Sequence, residues 1–129
     1  MFSEVFEDRL RSWRQVRERL DNADDPFAEV IAVYSKAPRI HNKNIDIWNQ
    51  RTWLDPWGLI KENGYTETCI CYAMCYTLQL TERFSSSQFE IHISTDNENK
   101  ETFLLLAVDD IVIQPQEGRY MNRSAVPRT

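Results

Sequence analysis

Glycine is scarce in this chain of 129 residues, and the scarcity excludes one class of site. Loops that cradle nucleotide phosphates need several closely spaced glycines, because the backbone must approach the phosphate groups. The chain has only three glycines, which are Gly58, Gly64 and Gly118. We therefore exclude both the P-loop and the dinucleotide-binding fingerprint.

Basic residues are also too few to indicate a nucleic-acid partner. The chain has 15 lysines and arginines against 20 aspartates and glutamates, and a formal net charge of −5. Binding to a phosphate backbone depends on a basic surface. We therefore expect no nucleic acid among the partners.

Long apolar runs and a disulfide framework are missing too. No stretch approaches the roughly 20 apolar residues of a membrane span, and the charges within residues 1–13 are unlike a signal peptide. All three cysteines lie within Cys69–Cys75, and an odd, clustered set cannot form a conventional disulfide framework. We therefore expect a soluble cytoplasmic protein with reduced thiols and no membrane partner.

The composition that is present is typical of one folded domain. Hydrophobic residues make up 42% of the chain and aromatic residues 12%, which is too apolar for a disordered chain. We assign residues 1–114 to a single α+β domain and residues 115–129 to a C-terminal tail that is disordered or lightly docked. The expected architecture is an N-terminal helical hairpin and a central helix, packed on a three-stranded antiparallel sheet.

Apolar spacing and capping residues predict the helical hairpin. Steps of three and four indicate an amphipathic helix over Ser3–Leu20, with Ser3 as its N-cap. The arginine-rich run Arg9–Arg19 is interpreted as the solvated face of this helix. Asp25 is expected to cap a second helix, because Pro26 suits the first helical position.

Two further helices are predicted in the middle of the chain. Asp55 is expected to cap a short helix over Trp57–Glu62. Residues 65–80 alternate like a strand, but they also pair cysteines and tyrosines at helical spacing, and the segment is longer than a typical strand. We predict a helix there, capped by Thr66 or Thr68.

The last third of the chain alternates as antiparallel strands do. Apolar side chains at positions 89, 91 and 93 share one face, while Glu90 and His92 share the other. The polar residues 39–52 are interpreted as an extended connection before the short helix. The predicted strands are Gln88–Ile93, Thr102–Val108 and Ile111–Gln114, with a polar loop over Thr95–Lys100 and a tight turn at 109–110.

One candidate site is a metal centre. Cys69, Cys71, Cys75 and His92 supply four ligands of the types that structural zinc binds. The cysteine spacing lacks the turn of a zinc knuckle, and buried cysteines commonly act as small hydrophobic residues. We therefore expect no metal and no cofactor.

A second candidate site is a cysteine nucleophile. A cysteine at the start of a helix is favoured as the thiolate, because the helix dipole and the free N–H groups stabilise the negative charge. Cys69 takes this place if the helix begins at Thr66 or Thr68. The chain climbs roughly 18 Å along the helix and returns a similar distance along a strand, which brings His92 back to the level of Cys69. The spacing therefore favours a thiolate–imidazole pair.

The residues around this cysteine resemble a known family. The bacterial transglutaminase-like cysteine proteinases have a pattern similar to W-A-T-P-x-E-F-L, followed by a glycine-rich gap and then C-E-D-Y-A-I. The segments that carry the resemblance are Trp53–Ile60, Gly64, Cys69–Met74 and Leu78.

This resemblance implies both a fold and a set of catalytic residues. The implied fold is papain-like α+β, with the cysteine at a helix start, the histidine on a strand and the aspartate on the next strand. Carried over to this sequence, the resemblance implies Cys69 as the nucleophile, His92 as the base and Asp109 as the orienting acid.

The register of the strands leaves two interpretations of these residues open. A symmetric loop between the first two strands pairs His92 with Leu105 and leaves Asp109 roughly 13 Å along the strand. Glu90, on the same face as His92, is then a substitute for the acid. In the other interpretation, Cys69 is a core thiol and His92 is a surface histidine.

Aromatic residues crowd the same part of the chain, and they are interpreted either as core residues or as interface anchors. His41 lies in a polar segment and is assigned no role. The aromatic set is Trp48, Trp53, Trp57, Tyr65, Tyr72 and Tyr76.

Two functions follow as expectations. The first is a small non-catalytic protein-interaction or assembly protein on a degenerate transglutaminase-like scaffold, which resembles small phage-encoded proteins of the host cytoplasm or virion. Its partner is expected to be another protein or a second copy of the chain. The alternative is a cysteine hydrolase or acyltransferase in which Cys69 attacks a carbonyl and His92 moves the proton.

Overall fold

The chain forms, in a computed structural model, four α-helices followed by a four-stranded antiparallel sheet within its described residues. This arrangement confirms the α+β class. The described residues are 1–40, 55–96, 98 and 101–125. The connection expected over 39–52 lies almost wholly outside them, as do His41, Trp48 and Trp53.

The helices pack on one face of the sheet, which we call the inner face; the opposite face is the outer face. The sheet has the strand order β1-β2-β3-β4. The elements are α1 (Phe6–Asn22), α2 (Pro26–Tyr34), α3 (Pro56–Glu62), α4 (Glu67–Gln79), β1 (Phe89–Asp96), β2 (Glu101–Val108), β3 (Ile111–Gln114), β4 (Arg119–Asn122) and a 3-10 helix (Arg123–Ala125).

Helix α4 is the central element of the core. It contacts the other three helices and strands β1 and β2, and it is buried along most of its length. A helix that is buried all round has no polar stripe, which explains why its sequence pattern was ambiguous. The predicted helix and its Thr66 cap are confirmed, because Thr66 Oγ1 accepts a hydrogen bond from the Cys69 N–H at 3.2 Å.

Capping residues located the starts of α2 and α3 correctly. The Asp25 carboxylate accepts a hydrogen bond from the Ala28 N–H at 3.1 Å, and the Asp55 carboxylate accepts one from the Gly58 N–H at 2.7 Å. Each helix has proline in its first turn, where the missing N–H has no helical partner in any case. These local signals needed no tertiary information.

The predicted start of α1 was wrong. The helix begins at Phe6, its N-cap is Val5, and no side chain caps it. The Ser3 hydroxyl instead accepts a hydrogen bond from the Val5 N–H at 3.2 Å, before the first helical turn.

The interpretation of the arginine-rich run as a solvated face was wrong at Arg9. This side chain is only 6% exposed. Its guanidinium donates to the carbonyl oxygens of Ser3, Ile60 and Lys61 at 2.8, 2.7 and 3.0 Å. Two of these carbonyls belong to the last turn of α3, so Arg9 joins α1 to the C-terminal end of α3.

A buried hydroxyl joins three helices at the centre of the core. Thr77, on α4, is fully buried. Its hydroxyl donates to the Ala73 carbonyl at 2.7 Å and accepts from Trp13 Nε1 at 3.0 Å. The Tyr34 hydroxyl lies 2.8 Å away and must donate, because the Thr77 proton is already used.

The strand register agrees with the prediction at the histidine. His92 lies opposite Leu105 across the β1–β2 pair, and β2 and β3 are joined by the expected two-residue turn. Asp109 occupies this turn with a positive φ of 52°, as tight hairpins require.

The predicted three-stranded sheet was wrong, because a fourth strand lies in the segment expected to be a tail. Arg119–Asn122 pairs antiparallel with β3. The chain reverses through a turn that ends at Gly118, whose φ is +64°. Tyr120 packs against Phe27 of α2, with ring centroids 5.5 Å apart, so β4 is held by the helices as well as by the sheet.

Candidate functional site

Cys69 lies in the first turn of α4, as the sequence predicts, but it is closed off. Its side chain has no exposed surface. The Thr66 hydroxyl donates to Cys69 Sγ at 3.1 Å, and the Tyr72 hydroxyl lies 3.1 Å from the same sulfur. The thiol therefore has two hydroxyl partners and no path to solvent in this arrangement.

The other two cysteines are buried in the same helix. Burial raises the pKa of the Cys71 thiol, and the nearby Cys75 raises it further. Burial also raises the pKa of Cys75, to about 12. Both thiols stay protonated at neutral pH, which makes them poor nucleophiles and poor metal ligands.

A cleft of about 350 Å³ opens beside the N-terminus of α4. Cys69 is not among the residues that line it in the described part of the chain, so the cleft gives no access to the sulfur. The Glu67 carboxylate at its rim accepts a hydrogen bond from the Gln116 side chain. The described residues that line the cleft are Arg39, Ile40, Tyr65, Thr66, Glu67, Thr68, Thr102, Leu104, Pro115 and Gln116.

His92 lies on the outer face of the sheet. Its neighbours Ile91 and Ile93 pack on the helical core, and successive side chains of a strand point to opposite faces. The imidazole is 51% exposed, and its Nε2 lies 2.9 Å from Glu90 Oε2. This Nε2 donates its proton to Glu90, so the 3.4 Å approach of Arg123 Nη2 is a contact between two donors rather than a hydrogen bond.

Arg123 completes a three-residue cluster with Glu90 and His92 on the outer face. Its Nη2 donates to Glu90 Oε2 at 2.8 Å. The hydrogen bond from the Arg123 guanidinium lowers the pKa of the Glu90 carboxyl most, and the hydrogen bond from His92 lowers it further. Glu90 is therefore ionised at neutral pH.

Asp109 has a structural role in the β2–β3 turn. Its carboxylate accepts a hydrogen bond from the Gln88 N–H at 2.9 Å. Its own N–H donates to the Gln88 carbonyl at 3.0 Å. The Gln88 N–H and the Ser87 hydroxyl lower the pKa of the Asp109 carboxyl.

The structure does not bring Cys69, His92 and Asp109 together. Cys69 is buried on the inner side of the sheet with α4, whereas His92 is on the outer face. Asp109 pairs with Gln88, four residues from His92 along β1, which is roughly 13 Å at the rise of a strand. Each of the three has other partners, so they do not form a catalytic triad in this arrangement.

The four candidate zinc ligands are divided in the same way. Three are cysteines buried within α4, and the fourth, His92, is on the far side of the sheet. Among the described residues, no group of three or more histidine, cysteine, aspartate or glutamate side chains is placed to hold a metal ion.

Two of the four described members of the aromatic set are core residues, and Tyr76 is half-buried. Tyr65 and Tyr72 are buried, and burial raises the pKa of Tyr65 to about 12, with Cys69 adding to the increase. Trp57 is the exception, because it is 54% exposed. Its ring lies edge-on to Trp13 with centroids 5.1 Å apart.

The sequence did not predict the role of Arg123. This residue follows β4, a strand that the sequence analysis assigned to a tail. The sequence did place Glu90 and His92 on the same face of a strand. It gave no indication that Arg123 would join them there.

A scan against protein-family models, a search of curated proteins and a search of solved structures find no match to the chain. No helix in the described parts of the chain combines the length and the apolar character needed to cross a membrane.

Proposed function

We propose that the chain is a non-catalytic protein-interaction or assembly protein on a reduced, degenerate transglutaminase-like scaffold. The scaffold is proposed because Cys69 lies in the first turn of a helix that packs on an antiparallel sheet, which is the arrangement the resemblance implies. The enzymatic alternative is less well supported, because a cysteine hydrolase needs its thiol and imidazole within hydrogen-bonding reach.

The observation that carries the proposal is the outer face of the sheet, on which none of the described α-helices packs. Helices α2 and α4 pack on the inner face, and α1 and α3 pack against the other helices. The outer face presents Leu105 and Met121, both half-buried, beside the Glu90–His92–Arg123 cluster. Apolar side chains bordered by an arginine and other polar groups are typical of protein interfaces.

The middle of this face is firm enough to serve as a binding surface. Ala107 and Val112 lie opposite each other across β2 and β3, and they are 1% and 4% exposed. Both are on the outer face, outside the helical core cluster. The middle of the outer face is therefore firmly packed, and a partner would contact the half-buried Leu105 and Met121 that lie beside it.

The test compares binding by the wild type with binding by outer-face variants. We expect the double variant Leu105→Lys with Met121→Glu to lose at least about tenfold in binding to a protein partner from the cells that express the chain. The matched control is Arg14→Glu, on the exposed side of α1. The unfolding temperature checks that each variant is folded.

Equal retention of the same partner by the wild type and the double variant would contradict a binding role for the outer face. Retention of no protein by the wild type, together with rapid alkylation of Cys69, would overturn the proposal in favour of the enzyme.

A further inference from the structure

Strand β1 is an edge of the sheet, and no described strand pairs with its outer side. It has eight residues, it pairs in continuous register with β2, and it is the end member of the strand order. No side chain described for residues 89–95 is buried. Edge strands are usually blunted by short length, charged side chains, proline or a bulge. Strand β1 is long, has no lysine or proline, and its Glu90 is paired with Arg123.

The opposite edge is built differently. Strand β4 has only four residues and begins with Arg119, and α2 packs against it. A short edge strand with a charged residue and a covering helix resists pairing with another chain. The contrast singles out β1 as the edge available for pairing.

The hydrogen-bonding direction of β1 can be worked out from its first pair. The Asp109 N–H donates to the Gln88 carbonyl, and the Gln88 N–H donates to the Asp109 carboxylate. Gln88 therefore directs both of its backbone groups towards β2, as a residue of a hydrogen-bonded antiparallel pair does. Because such pairs alternate with non-hydrogen-bonded pairs, Glu90 and His92 direct their backbone groups towards β2. The backbone N–H and C=O groups of residues 89, 91, 93 and 95 therefore point to the open edge.

We propose that β1 pairs antiparallel with β1 of a second copy of the chain, about a two-fold axis at Ile91. This pairing goes beyond the proposed function, because it uses the edge of the sheet rather than its outer face. The outward N–H groups of each β1 strand then donate hydrogen bonds to the outward carbonyl oxygens of the other. The two sheets then join into one eight-stranded sheet with both helical layers on the same side.

Side-chain complementarity selects the register. With the axis at Ile91, Glu90 of one copy lies opposite His92 of the other, and symmetry repeats this carboxylate–imidazole pair. With the axis at Glu90, two carboxylates face each other; with the axis at His92, neither imidazole faces a carboxylate. An imidazole N–H can donate to a carboxylate across the strands, whereas two opposed carboxylates are destabilising.

The inner-face side chains agree with the same register. Ile91 lies opposite its own symmetry mate, and Phe89 lies opposite Ile93. All three are partly buried apolar residues that already pack on the core. The pairing therefore extends an apolar layer on one face and a charged pattern on the other.

Molecular mass in solution tests the pairing, and a charge exchange tests its register. Light scattering should give twice the chain mass of 15.3 kDa for the wild type. Glu90→His and His92→Glu should each raise the dissociation constant of the dimer by about tenfold, because each places like groups opposite one another twice. The double variant, Glu90→His with His92→Glu, should restore it, and Glu117→His on the exposed β3–β4 turn is the matched control.

Oxidative cross-linking gives an independent readout of the axis. Ile91→Cys should form a covalent dimer, because opposed residues of a hydrogen-bonded pair have Cα atoms roughly 5.5 Å apart, within the range of a disulfide. Ile93→Cys should not, since its opposite residue is Phe89. The three native cysteines are buried and do not compete.

A monomeric wild type would overturn the pairing, as would a dimer that the single variants leave unchanged. Cross-linking of Ile93→Cys instead of Ile91→Cys would overturn the register. A monomer that still binds another protein through Leu105 and Met121 would remove this inference and leave the proposed function standing.

Discussion

The Thr77 hydroxyl shows how much a single atom can organise in this core. It accepts hydrogen bonds from the Trp13 indole and the Tyr34 hydroxyl and donates its own proton to the Ala73 carbonyl. Without this oxygen, two buried donors from α1 and α2 have no partner on α4. The loss of stability would come mainly from these two unpaired donors and not from the missing hydroxyl itself.

Replacing Thr77 with valine should therefore be severe although the two side chains have nearly the same shape. We expect Thr77→Val to lower the free energy of unfolding by about 2–4 kcal/mol, since each orphaned donor costs roughly 1–3 kcal/mol. Thr77→Ser, which keeps the oxygen, should cost less than half as much. Urea unfolding measures both, and equal losses in the two variants would show that the hydroxyl is not the cause.

Sequence patterns could not have identified this residue. Trp13 and Tyr34 lie on two helices that the sequence predicts, but the atom they share lies more than forty residues away from either in the chain. By contrast, Asp25, Asp55 and Thr66 were predicted as caps, because the N–H each one accepts is three residues away.

At the level of elements, Arg9 is the main link between α1 and α3. Arg9→Lys should lower the free energy of unfolding by about 2 kcal/mol, because an ammonium group cannot match the three carbonyl contacts of the guanidinium. Arg11→Lys, at a position whose side chain is 68% exposed, should change stability by less than about 0.5 kcal/mol. Equal effects in the two variants would contradict the linking role.

Strand β4 shows why some elements were missed. It is four residues long, follows a proline and alternates too briefly to be distinguished from a tail. Its identity depends on pairing with β3 and on the contact between Tyr120 and Phe27, both of which are non-local. Strand β3, in contrast, was predicted with its observed bounds, since the tight turn and Pro115 mark its two ends.

For the molecule as a whole, two buried acids, Cys75 in α4 and Tyr65 just before it, limit stability at alkaline pH. Burial raises the pKa of Cys75 from 9.0 to about 12 and that of Tyr65 from 10.0 to about 12. Above pH 9 the unfolded chain loses these protons while the folded chain keeps them. Stability is therefore fully present below pH 9 and is lost progressively between pH 9 and 12.

The Cys75→Ala variant isolates one of these protons. Between pH 9 and 10, we expect its free energy of unfolding to fall less steeply than that of the wild type, by up to about 1.4 kcal/mol per pH unit. Urea unfolding at several pH values gives the slopes. Identical slopes would mean that this thiol ionises equally in both states.

The strand register at the candidate site could be predicted from the sequence, but the separation of Cys69 from His92 was not predicted. The pairing of His92 with Leu105 was foreseen, and so was the place of Cys69 at a helix start. The alternation of β1 had already put His92 on the face away from Ile91 and Ile93. The family resemblance favoured a pair that this alternation opposes, because the apolar face of a sheet turns towards the helices.

The most direct test of a non-catalytic role is the alkylation of Cys69 by iodoacetamide as a function of pH, in the wild type and in His92→Ala. The account predicts that Cys69 is modified slowly in the folded protein and that both proteins give the same profile, since the imidazole lies across the sheet from the thiol. Rapid modification of Cys69 well below pH 8 that disappears in His92→Ala would contradict it.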